Sequence, residues 1–115
     1  MRNKQVSKYL IKLSDTAEDD LNNIADNITE EFSSPEVAIK IIVSLESTLK
    51  KRLDTFPHAY LVHSYLESLG IEYRRTVVGN FTAFYKIDEI NMHVIINYII
   101  YSKRDMSKIV LDARD

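Results

Sequence analysis

Glu72-Tyr73-Arg74-Arg75-Thr76-Val77-Val78-Gly79-Asn80-Phe81-Thr82-Ala83-Phe84-Tyr85-Lys86-Ile87 is the stretch that decides the fold. Two runs rich in β-branched and aromatic residues flank Gly79-Asn80, a two-residue connection in which glycine supplies the positive φ of a tight hairpin. With Val78 paired to Phe81, Arg75 opposes Phe84 and Tyr73 opposes Lys86, and opposed residues share a face. A four-residue turn, Asp88-Glu89-Ile90-Asn91, leads into a third run, Met92 to Tyr101. Three strands therefore form an antiparallel meander.

Strict alternation assigns the two faces. One carries Phe81, Ala83, Tyr85, Ile87, Met92, Val94, Ile96, Tyr98 and Ile100, and is expected to face the core. The other carries Tyr73, Arg75, Thr82, Phe84, Lys86, His93, Ile95, Asn97, Ile99 and Tyr101. This second face mixes basic, phenolic and apolar groups, a composition that suggests contact with a partner.

Upstream lie the helices that cover the core face. After the extended run Tyr9 to Leu13, Asp15 and Glu18 have the spacing of a capping box, and Ala17, Leu21, Ile24, Ala25, Ile28 and Phe32 form a helical stripe. Ser33-Ser34-Pro35 ends it. Ser34 then caps a second helix with Pro35 at its first position, where no amide hydrogen is needed. Its stripe is Ala38, Ile41, Ile42, Leu45, Leu49 and Leu53, and Thr55-Phe56-Pro57 stops it. So short a connection makes the pair an antiparallel helical hairpin. His58 to Ile71 reads as a loop with one helical turn ending at Gly70, and Ser102-Lys103-Arg104-Asp105 opens a short C-terminal helix. The fold class is α+β in one domain spanning 1–115: a helical hairpin packed on a small antiparallel β-sheet.

The 115 residues contain no cysteine, which excludes thiol chemistry, Cys-ligated zinc and disulfides. No stretch approaches the roughly 20 apolar residues of a membrane helix, and the N-terminus lacks a secretory apolar segment. The expected setting is cytoplasmic, with no membrane partner. His58, His63 and His93 lack metal-ligand spacing, so no metal or cofactor is expected. The net charge of −2 argues against a dedicated nucleic-acid binder. Yet Asp15, Glu18, Asp19, Asp20, Asp26, Glu30, Glu31 and Glu36 lie between Leu13 and Ile39 with no Lys or Arg among them. The basic side chains therefore concentrate elsewhere.

Taken in order, several motifs are similar to those of one family: Tyr9-Leu10-Ile11-Lys12-Leu13-Ser14 with Ala17-Glu18-Asp19-Asp20-Leu21, the Ser34-Pro35-Glu36-Val37-Ala38 helix start, and Phe56-Pro57. Tyr73 to Phe81, Phe84-Tyr85-Lys86-Ile87-Asp88 and the closing Tyr101-Ser102-Lys103-Arg104-Asp105 complete the series. Together they resemble the RelE/ParE superfamily of type II toxin–antitoxin toxins. The resemblance implies a growth inhibitor held inactive by a cognate antitoxin, either a ribosome-dependent mRNA endonuclease like RelE or an inhibitor of DNA gyrase like ParE.

Metal-free RNA cleavage needs a proton acceptor, a proton donor and cations around the phosphorane. The candidates are Arg75, Arg104, Tyr101 and Lys86 as catalytic groups, with Tyr73, Arg74 and Lys103 binding substrate. Thr82 stands where nuclease relatives usually carry Arg, and Val110 where relatives resembling RelE itself carry Tyr. Gyrase-type or other non-nucleolytic inhibition is therefore placed ahead of mRNA cleavage. A third reading is a degenerate member that only binds its partner. Phe84, Ile95 and Ile99 are the expected antitoxin groove, a mode needing only shape and burial.

Overall fold

The computed structural model describes residues 8–62 and 64–101. Four strands form one sheet in the order β1-β4-β3-β2, where β1 is Leu10–Leu13, β2 Arg74–Val78, β3 Phe81–Asp88 and β4 His93–Tyr101. The expected meander is present, with Val78 opposite Phe81 and Arg75 opposite Phe84. Gly79 has φ 59°, and neither Val78 nor Asn80 has positive φ. This is the pattern of a hairpin turn that needs glycine at its first central position. The sheet departs from the all-antiparallel expectation at its rim, because β1 runs parallel to β4 with Leu13 opposite Ile96. It is mixed.

Helices α1 (Asp15–Phe32) and α2 (Pro35–Leu53) form the expected hairpin. Ser34 accepts from Val37 N–H with Pro35 at the first position, as the sequence predicts. The α1 cap lies one residue earlier than expected. Ser14 Oγ, and not Asp15, accepts from Ala17 N–H at 3.0 Å. A hydroxyl in extended backbone satisfies the orphan donor, and Asp15 and Glu18 in the first turn then favour the positive helix end. Ala17, Leu21, Ile24, Ile28, Leu45, Leu49 and Leu53 pack on Ala83, Tyr85, Val94 and Ile96 to form the main core.

The loop between α2 and β2 has a 3-10 turn at Pro57–Ala59 and a short helix α3, Ser64–Ser68, with Gly70 at φ 81°. Its first part stays on the helix side, where Tyr60 packs on the main core, and its second part lies over the opposite face of the sheet. There Leu66 of α3 and Ile71 bury Tyr73, Phe84 and Tyr98 in a second apolar cluster. Both faces of the sheet are covered in part.

The face assignment fails over the last part of β4. Tyr85 pairs with Ile96 but Phe84 pairs with Tyr98, so Asn97 is an extra residue, a β-bulge. Past it the alternation inverts. Tyr98 and Ile100 join the α3 cluster, whereas Ile99 and Tyr101 pack on the helix side. The bulge coincides with the end of β1, and α1 takes over the exposed edge of β4. Ser14 N–H donates to Ile96 O at 2.9 Å, Ser14 Oγ to Asn97 O at 3.0 Å, and Ile99 N–H donates to Asp20 Oδ2 at 3.0 Å. Buried backbone groups thereby keep partners where no strand is present to supply them.

No helix of the described residues is long and apolar enough to cross a membrane. The expected C-terminal helix, with Lys103, Arg104 and Val110, lies outside the described residues, as does His63.

Candidate functional site

On the face of α3, β2 and β3 place Tyr73, Arg75 and Lys86 near one another, since Arg75 opposes Phe84 and Lys86 follows two residues on. Only the two cations are exposed. Tyr73 is 4% exposed, so it is no platform for a stacked base. Its ring meets Tyr98 edge-on at 5.7 Å and carries Lys86 Nζ 4.8 Å above its centroid. Phe84 is 1% exposed beneath the same cluster. Burial within the chain removes it from the expected antitoxin groove.

Tyr101 does not join Arg75 and Lys86. The bulge turns it to the helix side, where it is half-buried and stacks on Phe81 at 5.0 Å. Ile99 is likewise buried on that side, and of the three groove residues only Ile95 keeps a half-buried position on the α3 face. Arg74 points to the other side and donates from Nη1 to Tyr60 O at 2.6 Å, an anchor for the loop. Tyr85 has its expected packing role, donating from its hydroxyl to Pro57 O at 2.6 Å. Burial pushes its phenol well above the ordinary range, with Arg74 opposing and Tyr60 adding to the shift.

Two hollows remain. The first is a cleft of about 300 Å³ at the corner of the sheet, lined by His58, Val62, Glu72, Arg74, Lys86 and Glu89 among others. At its rim Glu89 accepts from Tyr9 Oη at 2.9 Å and pairs with His58 Nε2. The hydrogen bond to Glu89, then burial, then the charge of Glu89 hold the Tyr9 phenol above its ordinary value. In the neighbouring turn, hydrogen bonds from Asn91 lower the Asp88 carboxyl.

The second is an apolar groove of about 370 Å³ between α1 and α2. Leu21, Ala25, Ile39, Ile42 and Val43 line it, with Glu18 and Glu46 also present. Ile39 and Val43 are 61% and 57% exposed, unusual for large apolar side chains on a helix that already buries another stripe. Sequence reasoning on the buried stripe passed over both. The available signal was apolar residues off the periodicity of α2.

Arg52 was also missed. Its Nη1 donates to Thr76 Oγ1 at 2.9 Å and Val77 O at 2.6 Å, fastening α2 to the outer edge of β2. Among the described residues no three His, Asp or Glu side chains converge as a metal site.

Against known proteins, a family model described as the ParE toxin of the type II toxin–antitoxin system, parDE, matches residues 11–106. Among solved structures, the toxin–antitoxin complex RelBE2 from Mycobacterium tuberculosis is similar, with a TM-score of 0.60 at 15% identity. The alignment covers 89% of this chain and 100% of that chain. At such identity the likeness is one of fold. No curated protein matches.

Proposed function

The chain belongs to the family of ParE toxins of type II toxin–antitoxin systems, and from that premise we propose that it inhibits growth by a non-nucleolytic route, of the gyrase type. An antitoxin neutralises it, seating an apolar helix face in the groove between α1 and α2. One observation carries the choice of route. On the face that carries Arg75 and Lys86, Tyr73, Phe84 and Tyr98 are buried with Leu66, and Tyr101 stands on the reverse side. A scissile phosphate needs cations and a proton-transfer group converging within hydrogen-bond reach. Among the described candidates, Tyr101 does not join Arg75 and Lys86, which leaves that pair without a proton-transfer group beside it.

The groove supports the antitoxin seat because Ile39 and Val43 offer a helix the apolar contacts that Phe84 and Ile99 keep for the core. Purified protein added to DNA gyrase is expected to abolish supercoiling of relaxed plasmid. Unchanged supercoiling at saturating protein removes the gyrase reading. Message cleavage on translating ribosomes that depends on Arg75 would replace it with the nuclease reading.

A further inference from the structure

The sequence leaves His58, Glu89 and Tyr9 without a role, yet the fold brings them together from three separate segments. One carboxylate serves two partners. Glu89 Oε1 accepts from the Tyr9 hydroxyl and Oε2 pairs with His58 Nε2, while the Tyr9 and His58 rings meet edge-on at 6.2 Å. The pairing with His58 is an ion pair only when the imidazole is protonated.

Each partner belongs to a different segment, and other bonds hold those segments too, Arg74 to Tyr60 O and Tyr85 to Pro57 O on the loop among them. Tyr9 precedes β1, the four-residue rim strand, and its N–H donates to Asp54 O at 2.7 Å. Leu10 N–H donates to Met92 O at 2.9 Å. His58 sits in the 3-10 turn, whose following residues reach the edge of β2 through Arg75 N–H to Leu61 O at 3.3 Å. Glu89 belongs to the turn between β3 and β4 and also lines the corner cleft opposite Glu72, Arg74 and Lys86.

We propose that His58, Glu89 and Tyr9 form a proton-operated clasp, closed when His58 is charged, that ties the β1 lead and the 57–62 loop to the β3–β4 turn and shuts one side of the corner cleft. With a neutral imidazole the charge attraction between His58 and Glu89 is lost, leaving at most an Nε2–H hydrogen bond beside that of the Tyr9 phenol. Other charged groups act on the same cluster. Lys8 pairs with Asp54 at 3.9 Å, Arg74 Nη1 lies 3.5 Å from the carbonyl of His58, Glu72 and Lys86 face the cleft, and Asp88 lies near His93. Of these, His93 is the other imidazole, so it needs its own control.

The test is amide hydrogen exchange on the full chain, corrected for intrinsic rates, from about pH 5.5 to about pH 8, the interval that spans imidazole titration. Protection of Tyr9, Leu10 and Arg75 amides is expected to fall two- to five-fold, the scale of an exposed ion pair of about 0.5–1 kcal/mol. H58Q and E89Q should remove that pH dependence, and H93Q should retain it. A flat wild-type profile, an unchanged dependence in H58Q or E89Q, or its loss in H93Q would each overturn the clasp. The outcome is independent of whether gyrase is the target.

Discussion

Asp20, on the first helix, accepts the backbone N–H of Ile99, 79 residues later, inside the main core. A carboxylate there substitutes for the strand that β1 is too short to provide. Asp20→Ala leaves the Ile99 amide buried without a partner, and an unsatisfied group of this kind costs about 1–3 kcal/mol. Urea unfolding should show the midpoint falling with an unchanged m-value. An unaltered midpoint would mean that the contact contributes nothing.

Deleting Asn97 should remove the bulge and leave both faces of β4 as they are. Without the extra residue, Ile96 and Tyr98 become neighbours opposite Tyr85 and Phe84, so Tyr98 and Ile100 stay toward α3, Ile99 and Tyr101 stay toward the helices, and only the bond from Ser14 Oγ to Asn97 O is lost. Circular dichroism is expected to show that cooperative melting is retained, and its loss would contradict the two-face reading of β4.

The Tyr85 hydroxyl is a pH probe. Its folded phenol is held above the unfolded value of about 10, so the native form retains a proton that the unfolded chain loses. Stability from this group is therefore level below about pH 10 and declines as pH rises beyond it. Tyr85→Phe should flatten the alkaline part of the stability profile and cost about 1–3 kcal/mol at neutral pH, because Pro57 O loses its donor. Denaturant titrations at neutral and alkaline pH measure both effects.

Ile39→Glu with Val43→Glu should leave melting nearly unchanged, as both side chains are more than half exposed. Growth inhibition is expected to persist while neutralisation by the co-expressed antitoxin fails. If the double variant is neutralised as well as wild type, the antitoxin seats elsewhere.

Arg75→Ala and Lys86→Ala remove exposed cations and should change stability by no more than about 0.5 kcal/mol. On the non-nucleolytic reading neither abolishes growth inhibition. Loss of toxicity in both, with ribosome-dependent cleavage in the wild type, would reverse it.

Much of the architecture is written locally. Gly79-Asn80 between alternating runs specifies the hairpin, and Ser34-Pro35 specifies the start of α2, because each rests on backbone chemistry within a few residues. The bulge is different. Asn97 interrupts an apolar strand without a glycine or proline to mark a kink, and its effect depends on where β1 ends and on what α1 offers. Alternation counted through it therefore misplaced Tyr98, Ile99, Ile100 and Tyr101. The covering of Phe84 by Leu66 and the meeting of Tyr9, His58 and Glu89 depend on how distant segments pack. No periodicity reports that.

The fork that Arg52 drives into Val77 O, together with Leu61 against Arg75 N–H, blunts the rim of the sheet at β2. The opposite rim is only four residues long and bears Lys12. Among the described residues neither border offers the long, unguarded template on which identical chains stack edge to edge, so the sheet is guarded against growth by strand addition on both sides.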